Sequence, residues 1–347
     1  MINRKWILKT RPDGLPGREH FELCEEPLPV PGDSQFLVRN LYLSCDPAQR
    51  SWLARDTYVP KIAIGETMRA GATAQVVASR HPGFSEGELV SGMFGWQDYA
   101  LTDGSGFVPV TKLPAGVSVP LAMSVLGLTG LTAYYGMLEV AEVRAGQQVL
   151  VSGAAGATGS IAAQLAKLKG ARVVGVAGGA DKCRWLVDEL GLDAAIDYRH
   201  EDLHARIGAL FPKGIDVFFD NVGGEVLEEA ILRLATGGRV VLCGAIAFYN
   251  DLAHTPPLRN WTRLMVNRGR VQGILVTDFA PQFARAAGEL ARWVADGKLK
   301  NRVDIVDGLE NAPDAFRRLF TGENVGKQLV KLFATDYTDE HGSRAIG

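Results

Sequence analysis

A glycine-rich turn follows a short apolar run near the middle of the chain. The run Gln148–Gly153 (QVLVSG) leads into the turn Ala154–Gly159 (AAGATG), and a helical apolar set follows at Ile161, Leu165 and Leu168. In this order of strand, turn and helix, backbone N–H groups and a helix N-terminus face a pyrophosphate. The turn therefore predicts a dinucleotide site.

Other ligands also fit a turn of this kind, because Ala154 replaces the first glycine of G-x-G-x-x-G. The turn could be purely structural, or it could bind another Rossmann-type ligand such as S-adenosylmethionine. Methyltransferase loops usually carry an acidic residue at the strand end, where this chain has Ser152. A G-x-x-x-x-G-K-[ST] phosphate loop is excluded, since Gly326-Lys327 is followed by Gln328.

The end of the second predicted strand bears on the choice between NADH and NADPH. An NAD site usually places Asp or Glu about 20 residues beyond the turn, to hold the ribose 2′-hydroxyl. That place holds Gly178-Gly179, and the cations Lys182 and Arg184 follow closely. A cation suits a 2′-phosphate. Asp181 is the counter-candidate, but its place at the start of a predicted helix fits an N-cap better. We therefore predict NADPH.

The chain also contains H-E-x-x-H, the zinc protease signature, at His200–His204. Glu225, Glu228 and Glu229 stand at plausible distances for a third ligand. We predict a solvated helix start instead, because His200 would begin a surface helix between two strands rather than line a cleft. The chain has no Tyr-x-x-x-Lys pair, which excludes the proton relay of short-chain dehydrogenases.

The elements that position the turn alternate between strand and helix. After the first strand, further strands are predicted at Ala171–Gly179, Ala194–Asp197, Ile215–Asp220, Gly238–Gly244 and Val271–Val276. Helices are predicted between them, near Asp181–Leu190, from about Asp202, and over a segment that carries Leu227, Ile231 and Leu234. Repeated βα units with nearly continuous apolar strands imply a parallel sheet covered on both faces. The predicted fold class is therefore α/β, with a doubly wound Rossmann domain.

The first third of the chain has a different pattern. Short β-branched and apolar runs such as Gln35–Ser44 and Gly71–Ser79 are bounded by Pro, Gly and Asp, which predicts a mostly β domain. We place this β-rich substrate and catalytic domain at residues 1–123 and the dinucleotide-binding domain at residues 124–300. Residues 301–347 are too short to fold alone, so we expect them to return to the first domain.

Composition excludes several classes of protein. The 347 residues are 47% hydrophobic and 22% charged, which excludes a disordered chain. Lys+Arg 37 against Asp+Glu 39 gives a net charge of -2, so a nucleic-acid partner is not expected. The charge-free stretch Leu113–Leu138 is long enough to span a bilayer, but prolines and glycines interrupt it. We expect it to be a buried segment joining the domains, and we expect no membrane partner.

The four cysteines indicate a reducing compartment. Cys24, Cys45, Cys183 and Cys243 form neither a disulfide framework nor a C-x-x-C motif. Basic residues near the N-terminus are not followed by an apolar core, so no signal peptide is expected. We therefore expect a cytoplasmic protein.

Eight blocks of sequence follow one another along nearly the whole chain: LSCDPAQR, HPGFSEGELVSGMFGWQDYA, GLTAYYG, SGAAGATGS, GGADKCRW, FDNVGGE, CGAIAFYN and GLENAPDAFRRLFTGENVGK. In content and order they resemble the medium-chain dehydrogenase/reductase family. Within it they resemble the zinc-independent branch of prostaglandin reductases, leukotriene B4 12-hydroxydehydrogenases and alkenal double-bond reductases. The first domain is then expected to be GroES-like. The chain lacks the Gly-His-Glu motif and the four-cysteine lobe of the zinc-binding branch, so no metal is expected.

The resemblance also implies a set of residues that bind the cofactor. The pyrophosphate would be bound by Gly156, Ala157, Thr158 and Gly159, and the adenosine-side phosphate and ribose by Lys182 and Tyr198. The nicotinamide side would be lined by Asn221, Cys243, Gly244, Ala245, Ile246 and Tyr249. The rest of the cofactor cleft would be formed by Ile274, Leu275, Val276 and Asn324. The chain departs from the family pattern at Thr158, usually Val, and at Ala48 in DPAQR, commonly an aromatic residue. The second departure bears on the shape of the substrate pocket.

The implied reaction is reduction of the C=C bond of an α,β-unsaturated aldehyde or ketone, with a hydride from NADPH added to the β-carbon. Negative charge then develops on the carbonyl oxygen, which requires a hydrogen-bond donor. We predict Tyr249 and Tyr58 as the catalytic donors. The alternatives are an NADPH quinone reductase and a non-catalytic NADPH-binding protein. The family resemblance also implies a homodimer, and we predict that the edge strand Val271–Val276 forms its interface.

Overall fold

The computed structural model describes residues 2–333, apart from the side chain of Leu252. Contacts divide these residues into two compact units. Unit 1 comprises residues 2–123, Asp304–Glu323 and residues 328–333, and unit 2 comprises Ser124–Val303 and Asn324–Lys327. Of the expected return segment 301–347, residues 301–303 and Asn324–Lys327 group with unit 2 instead.

The strands and α-helices of residues 2–333 are numbered in chain order. The strands are β1 Ile2–Leu8, β2 Phe21–Pro27, β3 Phe36–Ser44, β4 Ala72–Ser79, β5 Leu89–Gly92, β6 Tyr99–Thr102, β7 Thr111–Lys112, β8 Gln148–Val151, β9 Arg172–Ala177, β10 Ala194–Asp197, β11 Ile215–Asp220, β12 Leu234–Leu242, β13 Arg270–Gly273, β14 Val303–Asp307 and β15 Lys327–Lys331. The α-helices are α1 Ala48–Ala54, α2 Val119–Met123, α3 Leu128–Tyr134, α4 Ala157–Leu168, α5 Ala180–Arg184, α6 Leu203–Leu210, α7 Gly224–Leu232, α8 Trp261–Asn267, α9 Phe283–Ala295 and α10 Ala312–Thr321. No helix within these residues is long and apolar enough to cross a membrane.

Unit 2 contains a parallel sheet with the strand order β10-β9-β8-β11-β12-β13. The chain starts at β8 in the interior, builds outward to β10, and then builds outward on the other side to β13. This order is that of a doubly wound fold, and it brings the carboxyl ends of all six strands to one edge. Apolar side chains such as Val149, Phe218 and Phe219 are fully buried, which explains the nearly continuous apolar runs.

Unit 1 contains a β1-β2 hairpin and a sheet with the strand order β14-β15-β3-β4-β5-β7, in which β6 also pairs with β3. The pairs among β3, β4, β5, β6, β7 and β15 are antiparallel. The C-terminal return completes the core of this unit, since Leu309 and Phe316 are fully buried. The indole N–H of Trp6 donates to the carbonyl oxygen of Leu309 at 2.8 Å, which joins the two ends of the described chain within the unit.

Several predicted element boundaries were wrong. Strand β12 begins at Leu234, which the periodicity assigned to a helix, because Leu234 already pairs with Ile215 before a register shift in the two strands. Strand β13 ends at Gly273 rather than Val276, since its pairing with β12 stops at Leu242. The predicted helix Asp181–Leu190 is divided into α5 and a π-helical segment, Trp185–Glu189.

Candidate functional site

The predicted phosphate loop joins β8 to α4. Gly156 is the N-cap residue of α4, and no side chain caps this end of the helix. The first backbone N–H groups of a helix have no partner within it, and the helix dipole favours an anion there. A Cβ on Gly159 would lie 2.3 Å from the carbonyl oxygen of Gly153, so only glycine lets the first turn pack this closely. The loop Gly156–Gly159 therefore fits a pyrophosphate.

The segment that carries Asn324 lies against this loop. The N–H of Gly326 donates to the carbonyl oxygen of Ala155 at 2.8 Å. The side-chain amide of Asn324 donates to the carbonyl oxygen of Gly326 at 3.1 Å. The structure thus brings Asn324, predicted from the family resemblance, close to the loop predicted from the motif. The Gly326 hydrogen bond gives a physical reason for the grouping of Asn324–Lys327 with unit 2.

The predicted adenosine side lies at the carboxyl end of β9. A Cβ on Gly178 would lie 2.8 Å from Cε1 of Tyr198 and 2.9 Å from Nε of Arg199. The bare backbone of Gly178 is therefore packed against a phenol ring and a guanidinium group. Lys182 follows on α5, within one turn of the N-cap Gly179. A planar ring and two cations near one glycine turn fit a ribose that carries a 2′-phosphate.

Arg199 was missed by the sequence analysis. Its guanidinium carbon lies 6.0 Å from the ring centroid of Tyr198. The signal was weak, because Arg199 comes about 20 positions after the glycines that it approaches, and only the pairing of β9 with β10 brings them together. Its position directly after Tyr198 could have suggested it.

The prediction that Asp181 caps a helix was wrong. The N-cap of α5 is Gly179, and Asp181 lies inside the helix, where its carboxylate accepts a hydrogen bond from Arg184. The carboxylate at this turn belongs instead to Asp197, whose Oδ1 accepts from the N–H of Gly179 at 2.8 Å. Burial alone would raise the pKa of Asp197, but hydrogen bonds from Gly179, His200 and Arg199 outweigh it and lower the pKa.

A buried carboxylate organises the other side of the phosphate loop. Asp220 ends β11 and is inaccessible to solvent. Its Oδ1 accepts from the hydroxyl of Ser152 at 2.6 Å and from the N–H of Val222 at 3.0 Å, and both of its oxygens lie 3.0 Å from the N–H of Gly223. Burial raises the pKa of Asp220, and these hydrogen bonds oppose the rise.

Asn221 ties the same two strands together. Its backbone N–H donates to Oγ of Ser152 at 2.8 Å, and its side-chain amide donates to the carbonyl oxygen of Ser152 at 2.7 Å. Asn221 was predicted to line the nicotinamide side. The structure gives its amide group a further role, which is to fix the end of β8 to the loop after β11.

The segment Cys243–Tyr249 follows β12 and is hydrogen-bonded to this loop. The N–H groups of Cys243 and Gly244 donate to the carbonyl oxygen of Asp220 at 2.8 and 3.1 Å. The N–H of Ala245 donates to the phenol oxygen of Tyr249 at 3.2 Å. Oη is the acceptor in this contact, so the contact does not use the hydroxyl proton. Burial and the carboxylate of Asp220 raise the pKa of the Cys243 thiol to about 12.

Ile274, Leu275 and Val276 lie beside the start of this segment. The N–H of Ile274 donates to the carbonyl oxygen of Leu242, the last residue of β12, at 3.1 Å. Leu275 is the N-cap residue of the 3-10 helix Val276–Gln282. These three residues therefore follow the edge strand rather than belong to it, and they lie at the same edge of the sheet as Cys243.

Tyr58 lies in unit 1, and the residue is 46% exposed. It stacks on Phe107 with ring centroids 5.4 Å apart, and it meets Trp52 edge-on at 6.2 Å. Its surroundings within the unit are therefore aromatic, in contrast to the backbone contact of Tyr249.

The two histidines of H-E-x-x-H have different carboxylate partners. Nδ1 of His200 lies 2.8 Å from Asp197, in the turn before α6 begins, and Nδ1 of His204 lies 2.8 Å from Glu229. No group of three or more His, Cys, Asp and Glu side chains in the described part of the chain could hold a metal ion. The zinc site considered in the sequence analysis therefore has no counterpart among residues 2–333.

Comparison with known proteins assigns a family to this arrangement. The family model described as "N-terminal domain of oxidoreductase" matches residues 4–110, and the one described as "Zinc-binding dehydrogenase" matches residues 157–292. NADPH-dependent curcumin reductase of Escherichia coli (strain K12) is 37% identical over 96% of this chain and 98% of that protein. Prostaglandin reductase 1 of Rattus norvegicus is 36% identical over 95% of this chain and 100% of that protein. The NADP(+)-dependent 2-alkenal reductase of Nicotiana tabacum is 37% identical over 95% of this chain and 97% of that protein.

Solved structures agree with this assignment. The crystal structure of CurA in complex with NADPH from Vibrio vulnificus has a TM-score of 0.91 and 37% identity, with 96% of this chain and 100% of that chain covered. Escherichia coli quinone oxidoreductase complexed with NADPH has a TM-score of 0.76 at 23% identity, with 95% of this chain and 99% of that chain covered. This similarity shows the shared fold alone. The chain therefore belongs to the medium-chain dehydrogenase/reductase family, in the branch that contains the prostaglandin, 2-alkenal and curcumin reductases.

Proposed function

We propose that the protein is an NADPH-dependent reductase of the C=C bond of α,β-unsaturated aldehydes and ketones. The observation that carries the reaction is the segment Cys243–Tyr249, which presents a phenol at the carboxyl edge of a dinucleotide-binding sheet. Full-length similarity to proteins named 2-alkenal reductase and curcumin reductase supports the same substrate class.

The surroundings of Gly178 support NADPH as the cofactor. Lys182, Tyr198 and Arg199 surround the turn where an NAD site usually has a carboxylate for the ribose 2′-hydroxyl. Asp197 does approach this turn, but the N–H groups of Gly179 and Arg199 already occupy its Oδ1. The names of the relatives specify NADPH or NADP(+).

The remaining cofactor contacts follow the sequence prediction. The loop Gly156–Gly159 binds the pyrophosphate, with Asn324 beside it, and Asn221 and Cys243–Tyr249 line the nicotinamide side. Ile274–Val276 complete this side of the site. Among these residues, the backbone N–H groups bind the cofactor, and the buried hydrogen bonds to Asp220 keep the loops in place.

Bound NADPH supplies the hydride that adds to the β-carbon of the substrate. Tyr249 donates a hydrogen bond to the carbonyl oxygen, on which negative charge develops as an enolate forms. The backbone N–H of Ala245 donates to Oη, which polarises the hydroxyl and makes it a better donor. Tyr58 is the second candidate donor. A solvent proton then adds to the α-carbon and completes the saturated product.

Two other functions are distinguished by product analysis. A quinone reductase would use the same hydride on an extended electrophile, but the similarity to quinone oxidoreductase extends to the fold alone. A non-catalytic NADPH-binding protein would not need a polarised phenol beside the nicotinamide. Incubation with NADPH and a medium-chain 2-alkenone should give the saturated ketone. An allylic alcohol, or no product despite tight NADPH binding, would refute the proposal.

The protein is further proposed to be a homodimer. Strand β13 is at the edge of the sheet and pairs only with β12 among the described strands. Trp261, Met265 and Val266 on the preceding helix are 57%, 68% and 58% exposed, and apolar exposure beside an unpaired edge favours coverage by a second copy. Sedimentation should give twice the chain mass, and Met265→Glu should reduce it to the mass of one chain.

A cytoplasmic location stays a prediction, based on four cysteines that form no disulfide.

A further inference from the structure

A carboxylate lies at the turn where the proposed cofactor site needs positive charge. Asp197 ends β10 and is buried. Its Oδ1 accepts from the N–H of Gly179, which directly follows the glycine against which Tyr198 and Arg199 pack. A carboxylate at such a turn favours the ribose 2′-hydroxyl of NADH and repels the 2′-phosphate of NADPH. The charge of Asp197 therefore opposes a preference for NADPH unless a neighbouring group neutralises it.

His200 is that neighbouring group. Its Nδ1 lies 2.8 Å from Oδ2 of Asp197, whereas the N–H groups of Gly179 and Arg199 donate to Oδ1. The side chain of His200 is 74% exposed, and that of Asp197 is 11% exposed. The imidazole can therefore exchange protons with solvent while its partner is held in place by two backbone hydrogen bonds.

The net charge of this pair depends on the imidazole. A neutral His200 that donates from Nδ1 leaves the pair with the negative charge of Asp197, and a protonated His200 donates from the same nitrogen and makes the pair neutral. Burial opposes ionisation of Asp197, but hydrogen bonds from Gly179, His200 and Arg199 outweigh it and lower the pKa of this carboxyl. Histidine is the side chain whose charge changes between pH ~5 and ~8. In that range, protonation removes negative charge from the turn without breaking a hydrogen bond.

The other titratable and charged groups around the pair keep one charge state over this range. Cys183 on α5 lies near Asp197, and burial together with the carboxylates of Asp197 and Glu201 raises the pKa of its thiol to about 11, so it stays neutral. Glu201 accepts from the N–H of Asp197 at 2.8 Å and forms an ion pair with Arg206 on α6. The guanidinium groups of Arg199 and Arg206 stay cationic. The imidazole is therefore the group of this cluster that titrates.

We propose that His200 is a cofactor-selectivity residue, whose protonation neutralises Asp197 and strengthens the binding of NADP(H) relative to NAD(H). This inference rests on the proposed cofactor site. His200 acts through Asp197 and the glycine turn rather than on the reacting atoms, so it is a positioning residue. One histidine of the H-E-x-x-H match thereby serves the cofactor site without binding a metal.

Two substitutions fix the charge at this position. His200→Gln is neutral and His200→Lys is cationic throughout the test. Calorimetry would measure the Kd of NADP+ and of NAD+ at pH ~5.5 and ~8 in low salt, and the preference is the ratio of the two. At the lower pH the wild type should resemble His200→Lys and exceed the NADP+ preference of His200→Gln about three- to tenfold. At the higher pH it should resemble His200→Gln. The 2′-phosphate itself titrates near pH ~6, and comparison of variants at equal pH cancels that effect.

His204→Gln is the matched control. Nδ1 of His204 also lies 2.8 Å from a carboxylate, but this carboxylate belongs to Glu229 on α7. The variant should keep the preference of the wild type at both pH values. A His200→Gln protein with the same preference as the wild type at both pH values would overturn the proposal.

Arg199→Gln separates this inference from the proposed site. If Arg199→Gln keeps the wild-type affinity for NADP+, the proposed 2′-phosphate site is wrong and the inference falls with it. If Arg199→Gln loses affinity while His200→Gln keeps the wild-type pH profile, the site stands and the role of His200 is refuted. We expect loss of NADP+ affinity in Arg199→Gln together with an altered pH profile in His200→Gln.

Discussion

The hydroxyl of Ser152 donates a hydrogen bond of 2.6 Å to the buried carboxylate of Asp220. Ser152 directly follows β8 and Asp220 ends β11, and these two strands are neighbours in the parallel sheet. The phosphate loop begins after Ser152, and the carbonyl oxygen of Asp220 accepts hydrogen bonds from Cys243 and Gly244, which begin the segment after β12. One buried contact therefore sets the relative position of the pyrophosphate and nicotinamide sides of the proposed site.

Asp220→Asn should weaken both folding and NADPH binding. An amide has only one acceptor oxygen, so an N–H of the new side chain would face the N–H of Gly223. We expect a loss of about 1–3 kcal/mol in the free energy of unfolding, together with a higher Kd for NADPH. Urea unfolding and fluorescence titration measure the two quantities.

Asp216→Asn is the matched control. Asp216 also joins β11 to β8, since its Oδ2 accepts from the N–H of Gln148 at 2.7 Å, but it does so at the opposite ends of the strands. This variant should lose stability and keep its Kd for NADPH. Equal changes in Kd for the two variants would show that Asp220 has no specific role in the site.

Arg199→Gln should change the preference between the two nicotinamide cofactors. A guanidinium beside Gly178 can form charge-assisted hydrogen bonds to a 2′-phosphate, so its loss should raise the Kd of NADPH about tenfold or more. The Kd of NADH, which lacks that phosphate, should not change. Lys167→Gln removes a cation from the exposed ion pair with Asp193 and is the control for net charge. A parallel loss of NADPH and NADH affinity would contradict the assignment.

Tyr249→Phe should lower kcat on the order of 100-fold, because the donor for the developing negative charge is lost. The Kd of NADPH should change little, since the hydroxyl contacts the segment itself through Ala245. Stopped-flow measurement of NADPH oxidation with saturating enone separates the two effects. Tyr58→Phe, prepared in parallel, tests the other candidate. An unchanged rate in Tyr249→Phe would remove this residue from the mechanism.

The thiols of unit 2 should be unreactive near neutral pH. Burial, together with nearby carboxylates, raises the pKa of Cys243 to about 12 and that of Cys183 to about 11. A thiol becomes nucleophilic only as the pH approaches its pKa, so at pH ~8 both should react with iodoacetamide far more slowly than a thiol of ordinary pKa ~8.5. Alkylation should become rapid in denaturant. Mass spectrometry of the Cys243 peptide measures the labelling. Fast labelling in the native protein would contradict the prediction of an unreactive thiol.

The sequence predicted the doubly wound fold because buried parallel strands are nearly continuous apolar runs. Strands β10 and β11 have the predicted limits, Ala194–Asp197 and Ile215–Asp220. The α/β fold class and the family are confirmed by the comparisons. The predicted element boundaries were wrong where strand pairing, rather than the periodicity of apolar residues, decides where an element begins or ends. Leu234 belongs to a strand because it pairs with Ile215, although its spacing from Leu227 and Ile231 is helical.

Contacts between residues far apart in the sequence could not be predicted from spacing. The approach of Arg199 to Gly178 depends on the register of β9 and β10. The placement of Asn324 beside the phosphate loop was expected from the family resemblance, since no local pattern joins it to Ala155.

The position of the transferred hydride tests the central claim most directly. The protein would be incubated with NADPH deuterated at its transferable hydrogen and a straight-chain 2-alkenone, and the product would be examined by NMR. We predict a saturated ketone with deuterium on the β-carbon and a solvent-derived hydrogen on the α-carbon. Deuterium on the carbinol carbon of an allylic alcohol would show carbonyl reduction and would contradict the proposed function.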